Sequence, residues 1–458
     1  MIELFDLDSL STVVVTAIGL LAAYFLNLHS KSVAPLLTYY PSQFNLDVLS
    51  NCDLLLKPYV PTFLWGKSGH VQTFLYGKMG RINSPYPLGD RHSFVMEDGA
   101  TMTFDIFAPI SNINKKCVLL VCPGIANSSE SLYIRTYIDY AQRMGYMLAV
   151  LNHLGAVKSV DLTAPRLYTY GDTEEYAKMV KEVGLLYPDY MFIAVGFSLG
   201  ANVVIKYFGE DVSRQDGFVG AVSSCQGYDI LRLAARHFFH HWKQLRRLYI
   251  LAMTRHQQGI LRRSASSPMN NLLSLYFFDV KALMSATTLH QIDELYSHKR
   301  AGFNSCEEYY HWASSCNYID KVRLPMLLLN AADDPIVPKE VLQVPHRIAS
   351  EHRNVIFALT AHGGHLGYFE GGLIIPNTVT WLDKVVVAYC DALLHVITLS
   401  PPSSSSSSSS TKRPNQADGE DNKSDLNGAN HVVTSKEDGN RKDDVIVSDV
   451  IGLSDSVV

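Results

Sequence analysis

Residues 191–207, Met-Phe-Ile-Ala-Val-Gly-Phe-Ser-Leu-Gly-Ala-Asn-Val-Val-Ile-Lys-Tyr, constrain the fold more than any other stretch of this chain. Met191 to Val195 is a short apolar run of strand length. Gly196-Phe197-Ser198-Leu199-Gly200 follows, and the residues after it read as a helix. Strand, G-x-S-x-G and helix in that order make a nucleophile elbow. Each glycine has a steric reason, because a Cβ at Gly196 or Gly200 would crowd the turn or the packing of the helix on the strand. The turn lifts Ser198 Oγ above the sheet and places the Leu199 N–H at a helix N-terminus, where negative charge is favoured. A chance match is the bland alternative, and the flanking strand and helix argue against it.

The chain has 458 residues, enough for one large domain or two ordinary ones. A net charge of −5 gives no reason to expect nucleic acid as a partner. Seven cysteines are odd in number and scattered without metal-ligand spacing, so no metal or other cofactor is expected. From residue 91 apolar strands alternate with amphipathic helices. Ser93–Met96 and Met102–Phe107 are joined at Asp98-Gly99, a hairpin signal. The later strands are Cys117–Cys122, Met147–Asn152, Met191–Val195, Phe218–Ser223, Met326–Asn330 and Val355–Leu359. Helices are predicted over Ser131–Met144, Thr173–Leu186 and Lys339–Ser350. The pattern predicts an α/β protein: a mostly parallel sheet with helices on both faces, fed by a hairpin, which suits the α/β-hydrolase fold.

That fold demands a base and an acid in the chain order Ser, Asp, His. The strand ending at Asn330 runs into Ala331-Ala332-Asp333-Asp334-Pro335, at the carboxyl edge where ligands bind. The next strand is followed by His362-Gly-Gly-His365 in a Gly-rich loop. Ser198, Asp334 and His365 are therefore the candidate catalytic residues, with Asp333 and His362 as rivals. The backbone N–H groups of Leu199 and of Ile125, in the loop Cys122-Pro-Gly124-Ile125, are the candidate oxyanion donors. The bland reading makes Asp334 a helix cap and His365 a turn residue.

About a hundred residues separate Ser223 from Met326, far more than an ordinary connection, and predict a helical cap insertion over about 229–318. From Ile230 to Phe278 this insertion carries no Asp or Glu but eight basic residues, from Arg232 to Arg263, among aromatics such as Phe238, Trp242 and Tyr276. A solvated charged face is the bland reading. A basic, aromatic lid on anionic lipid headgroups is the sharper one. Leu10 to Leu28 is apolar and uncharged, near the short end of a spanning helix. Acidic Glu3, Asp6 and Asp8 argue against a cleaved signal, so residues 1–31 are expected to be a membrane anchor. Lys31 after the span favours a cytoplasmic bulk on a single charge. Residues 32–90 connect the anchor to the hydrolase domain of 91–398. Lys67-Ser68 lacks the upstream glycine of a phosphate loop, and His70 reads as structural. Residues 399–458, with eight consecutive serines from Ser403 to Ser410, form a disordered tail. Asn127-Ser-Ser129 and Asn422-Lys-Ser424 match the glycosylation pattern, though a glycan on Asn127 would sit beside the oxyanion loop.

Longer runs carry a family resemblance: WGKSGHVQT, VCPGIANSSE, YIRTYIDYAQRMGY, VLNHLGA, VGFSLGANVV, CQGY, NAADDPIVP and HGGHLGYFEG. Together, over roughly 58–392, the chain resembles the α/β-hydrolase domain-containing lipases. Membrane-anchored monoacylglycerol lipases, yeast medium-chain ester synthases and bacterial esterases share that broader family. The resemblance implies hydrolysis of monoacylglycerols, 2-arachidonoylglycerol among them, with general esterase activity, and it assigns Ser198, Asp334 and His365 as the triad. It also implies a single-pass type II membrane protein of the cell membrane or endomembranes, with the catalytic domain outside or in a lumen, against the single-lysine argument. The expected partners are lipid esters and the bilayer. The sequence identifies no steroid or other small-molecule regulator. No H-x-x-x-x-D motif supports transferase activity, and the serine-rich tail departs from the pattern. The alternatives are acyl transfer to an alcohol, and a non-catalytic lipid- or hormone-binding membrane protein.

Overall fold

The computed structural model describes residues 7–164, 166–233, 244–265 and 279–399. The serine-rich tail, Asn422, and the insertion's Arg236, Phe238, Phe239, Trp242, Lys243, Tyr276 and Phe277 lie outside the described residues.

Nine strands form one sheet in the order β1-β9-β8-β7-β6-β4-β5-β3-β2. They are β1 (Leu36–Thr38), β2 (Asp90–Val95), β3 (Thr101–Phe107), β4 (Cys117–Cys122), β5 (Met147–Asn152), β6 (Met191–Phe197), β7 (Phe218–Ser224), β8 (Met326–Ala331) and β9 (Val355–Thr360). Strands β4 to β9 pair in parallel, while β2 and β3 enter as an antiparallel hairpin whose second strand pairs with β5. The hairpin closes at Asp98-Gly99, where Gly99 takes φ 84° and Met96 N–H donates to Ala100 O at 2.8 Å. Every residue of β4, β5 and β8 is buried, as expected of strands covered on both faces. One face carries helices Leu132–Arg143 and Trp381–Leu399, the other helices Glu174–Leu186, Leu199–Glu210 and Gln343–Glu351, and each face has its own apolar core. The expected α/β-hydrolase architecture is found, with strand ends within about three residues of their sequence-based bounds.

Several elements escaped the sequence reading, most of them in the connecting region, where Gln43–Ser50 and Asp53–Leu56 are short helices. Leu36–Thr38 adds an antiparallel edge strand, β1, to β9. Gly69–Met79 is a helix, in a stretch whose glycines read as turns. The N-terminal helix Leu7–Phe25 has 19 residues. Val13, Val15, Ile18, Leu20, Leu21, Tyr24 and Phe25 on it are exposed. Among the described residues, no helix is long and apolar enough to cross a membrane.

Between β7 and β8 the chain forms helices that include Gln244–Ala265, Val280–Ser285, Leu289–Ile292 and Cys306–Ala313. Their apolar side chains make two small clusters of their own. Ile260, Leu261, Leu283 and Ile292 gather with Leu167 and Tyr168, and Tyr309, Tyr310 and Ala313 gather with Tyr170. Ile125 and Leu199 pack against both clusters, so the insertion rests on the two loops that the sequence reading marked for oxyanion binding.

Candidate active site

Strand β4 lies between β5 and β6, with Cys122 paired to Gly196. The chain leaves β4 toward β5 on one side, and β6 arrives on the other. Their carboxyl-end loops diverge there and leave a crevice at a topological switch point. In-register pairing sets Pro123-Gly124-Ile125 beside Phe197-Ser198-Leu199.

Ser198 occupies φ 55°, ψ −116° between β6 and helix Leu199–Glu210. A non-glycine residue at that φ is strained, and several anchors hold it. Ser198 N–H donates to Ser224 O on β7 at 2.8 Å, and Ser198 O accepts from Ala201 and Asn202 N–H. A Cβ on Gly196 would collide with Ala201 Cα, and one on Gly200 with the carbonyl oxygens of Cys122 and Pro123. The second clash cannot relax, because those carbonyls end a fully buried strand. We expect Gly200→Ala to destabilise the protein by more than about 3 kcal/mol, as overpacking against rigid backbone does. Gly184→Ala is the control. It lies in helix Glu174–Leu186 with nothing within 4 Å of the new Cβ, and it should stabilise by roughly 0.5–1 kcal/mol. Thermal unfolding of both variants against wild type checks the opposite signs.

Ser198 Oγ lies 2.8 Å from His365 Nε2. His365 Nδ1 lies 2.8 Å from Asp334 Oδ2. The other carboxylate oxygen of Asp334 accepts from Ile336 N–H at 2.7 Å and Val337 N–H at 3.0 Å, so the carboxylate is fixed from both ends. Asp334 follows β8 and His365 follows β9. Those strands pair in register up to Ala331 and Thr360, which sets the two loops side by side.

The rivals Asp333 and His362 stand together elsewhere. Asp333 Oδ1 accepts from Gly364 N–H at 2.9 Å, and its Oδ2 lies 3.7 Å from His362 Nδ1. His362 Nε2 lies 3.0 Å from Ser30 Oγ, so this pair faces the segment after the N-terminal helix and not Ser198. Burial pushes the Asp333 carboxyl above its ordinary range, against the pull of His362 and the Gly364 N–H.

The loop that carries His365 is braced by residues the sequence reading did not single out. Gly364 takes φ 55°, and the following His365 N–H donates to Thr73 Oγ1 at 2.8 Å. Phe369 N–H donates to Gln72 Oε1 at 2.8 Å, and Thr73 Oγ1 donates back to Gly69 O at 2.7 Å. Helix Gly69–Met79 thus positions the histidine backbone. The available signal was the WGKSGHVQT run itself, whose glycines disguised a helix. His70 on the same helix is exposed, and its ring stacks on Tyr249 of the insertion at 6.0 Å between centroids.

On the other side of Ser198, Gly124 N–H donates to Tyr133 Oη at 2.8 Å. A Cβ at Gly124 would meet Ser198 Cβ at 3.4 Å, so the glycine keeps open the space beside the nucleophile. His153 Nε2–H donates to Pro123 O at 2.9 Å, and burial pushes its pKa down to about 4, so a neutral imidazole holds this loop. Asn127 Nδ2 donates to Ile125 O at 2.8 Å, and Asn127 Oδ1 accepts from Ser131 Oγ at 2.9 Å. Asn127 lines the cavity with its side-chain amide already engaged at both ends.

Ser198 and His365 open into a cavity of about 1360 Å³, with Ile125, Leu199, Leu251 and Met253 among its lining residues. The wall is mostly apolar. Phe25, at the end of the N-terminal helix, also lines it. Among the described residues, two groups of three could share a metal ion, Cys225 with Asp334 and His365, and His290 with Glu294 and Cys306. In the first, Asp334 and His365 are already hydrogen-bonded to each other.

The alpha/beta hydrolase fold family matches residues 118–372. Monoacylglycerol lipase ABHD2 of Mus musculus is 43% identical over 396 residues, spanning 84% of this chain and 92% of the mouse protein. Abhydrolase domain-containing protein 2 of Drosophila melanogaster is 39% identical over 391 residues, spanning 84% of this chain and 98% of the fly protein. Phospholipase ABHD3 of Mus musculus is 26% identical over 381 residues, spanning 81% of this chain and 87% of that protein.

Proposed function

The chain belongs to the α/β-hydrolase family, and from that premise we propose that it is a serine hydrolase of lipid esters, a monoacylglycerol lipase with general carboxylesterase activity. The observation that carries this reading is the unbroken chain Ser198 Oγ, His365, Asp334, with 2.8 Å at each link, opening into a large apolar cavity. High identity to proteins named monoacylglycerol lipase supports the substrate class.

The chemistry follows from the geometry. Ser198 Oγ attacks the acyl carbonyl while His365 Nε2 takes its proton. Asp334 holds Nδ1–H toward itself, so that Nε2 is the free base, and it stabilises the imidazolium that forms. The N–H groups of Leu199 and Ile125 receive the oxyanion. Leu199 stands in the first turn of a 12-residue helix, where N–H groups have no intrahelical acceptor and the dipole favours negative charge. His365 returns its proton to the glycerol oxygen as that C–O bond breaks. Water then attacks the acyl-serine, His365 takes its proton, and the fatty acid leaves as Ser198 is reprotonated.

The insertion over about 229–318 acts as the cap over the cavity. Its packing on Ile125 and Leu199 supports that role. Residues 1–31 associate the chain with the bilayer of the cell membrane or endomembranes. The exposed apolar side chains of helix Leu7–Phe25 support the association. Phe25 at the cavity edge would bring a bilayer-borne ester close to Ser198.

The test uses the full chain in membranes, given 1-monooleoylglycerol with and without added ethanol. Oleic acid and glycerol as products, with ethyl oleate minor, support the hydrolase. Ethyl oleate as the main product would replace it with an acyltransferase. No turnover and no labelling by a fluorophosphonate probe would leave a non-catalytic lipid-binding protein.

A further inference from the structure

A group of exposed apolar side chains stands at the foot of the N-terminal helix, and none of them lines the Ser198 cavity. Two stretches of chain supply it, residues 58–66 (PYVPTFLWG) and 371–376 (GGLIIP), and neither carries a charge. They run side by side. Phe63 N–H donates to Gly372 O at 3.2 Å, Leu64 N–H to Leu373 O at 3.0 Å, and the Trp65 indole N–H to Ile374 O at 2.7 Å. Val60, Phe63 and Leu64 on one stretch and Leu373, Ile374 and Ile375 on the other are all exposed, Ile375 by 70%.

The second stretch is a built turn. Gly371 and Gly372 take φ 72° and 65°, and a Cβ on Gly372 would lie 2.0 Å from Ile375 O. Asn377 N–H donates to Glu370 O at 2.9 Å and closes the turn, and the Lys384 ammonium pairs with the Glu370 carboxylate. Left-handed glycines thus hold three consecutive large side chains on the outside. Polar residues would serve such a turn as well for folding, and contiguous exposed apolar side chains mark a surface that something covers.

The neighbouring element identifies the cover. Asn27, just past helix Leu7–Phe25, donates from Nδ2 to Lys67 O at 3.1 Å, and the Lys67 ammonium donates to Ser30 O. Lys67 lies three residues beyond Leu64, so the patch adjoins the base of a helix whose own Val13, Leu20 and Leu21 are exposed. One hydrocarbon phase covers helix and patch together, and no charge in either stretch has to be stripped of water.

We propose that Phe63, Leu64 and the Leu373–Ile375 turn form a second membrane contact, which inserts among the acyl chains at the bilayer surface beside the N-terminal helix. The proposal rests on the reading that residues 1–31 associate the chain with the bilayer. It adds the surface by which the catalytic domain itself sits on the lipid, and two attachments fix the orientation that one leaves open.

The experiment uses the full-length chain in phosphatidylcholine vesicles, with a bimane label on Ile375→Cys, Phe63→Cys or Val95→Cys. Val95 is the control, 72% exposed on β2 at the edge of the sheet. All three side chains are exposed, so the fold is kept, which thermal unfolding checks. Six of the seven native cysteines are buried, and the unsubstituted chain labelled in parallel gives the background. Phosphatidylcholine brominated in its acyl chains should quench the labels at 375 and 63 by about half, as insertion to acyl depth does, and leave the label at 95 unquenched. Iodide in the water should do the reverse. Labels at 375 and 63 that iodide quenches and bromolipid does not overturn the proposal. So does shielding from both quenchers, which a second copy of the chain would give, and so does equal bromolipid quenching at 95. A chain that does not float with the vesicles overturns the bilayer reading and this surface together. One that floats while the Ile375 label stays in water overturns this surface alone.

Discussion

Ser198→Ala is expected to abolish monoacylglycerol turnover, lowering kcat by about 10⁶-fold, and to abolish labelling by a fluorophosphonate probe. The substitution removes one oxygen and keeps the Cβ. The strained backbone at φ 55° is as costly for alanine as for serine, and its anchor, the 2.8 Å bond from Ser198 N–H to Ser224 O, is main-chain. The variant should therefore fold and bind lipid as the wild type does, which thermal unfolding checks in the same preparation. On the proposed mechanism the effect is large because Ser198 Oγ is the atom that forms the acyl bond, and without it His365 would be left to assist an unpositioned water. Labelling lost in the variant, with turnover never seen in the wild type, would keep the nucleophile and sink the monoacylglycerol assignment. A folded wild type that does not label at all would sink the nucleophile.

Asp334→Asn should cost about 10⁴-fold in kcat, and Asp333→Asn tenfold or less. Adjacent carboxylates at the end of one strand differ in this way because of where their oxygens point. Asp334 Oδ2 accepts the Nδ1 proton of His365 at 2.8 Å, so Nε2 is left unprotonated toward Ser198. An asparagine amide at that position donates instead, holds the imidazole in the other tautomer, and turns an N–H toward the serine. The base is then blocked with its geometry intact. Asp333 serves His362 and the Gly364 N–H, one residue short of the histidine, so its loss loosens the loop without changing the tautomer. Steady-state kinetics on both variants decides between the neighbours. Equal losses would overturn the assignment of Asp334.

The comparison between these two aspartates shows where sequence reasoning reached its limit. The order Ser198, Asp, His365 was readable because the elbow has a local signature and because acid and base must follow strands whose apolar runs are plain. Helix Gly69–Met79 was not readable. Gly69, which looks like a turn residue, is there for packing: a Cβ on it would collide with Asp333 O. The bracing of His365 by Thr73 spans 292 residues, and no local pattern records a contact of that separation. Edge strand β1 is three residues long, too short to show a period.

What the sequence by itself determined is everything set by local sterics and by period. That covers the elbow with its two glycines, the alternation of buried strands and helices, the parallel sheet, and the long connection between β7 and β8. What only the tertiary structure decided is which of two neighbouring carboxylates faces which of two neighbouring histidines, and which distant helix steadies the loop. The division has a physical cause. Strand, helix and strained turn arise from backbone interactions over a few residues, whereas a hydrogen bond between loops depends on the sheet register that brings them together. A one-residue change in that register would exchange Asp333 for Asp334 without altering the composition of either loop.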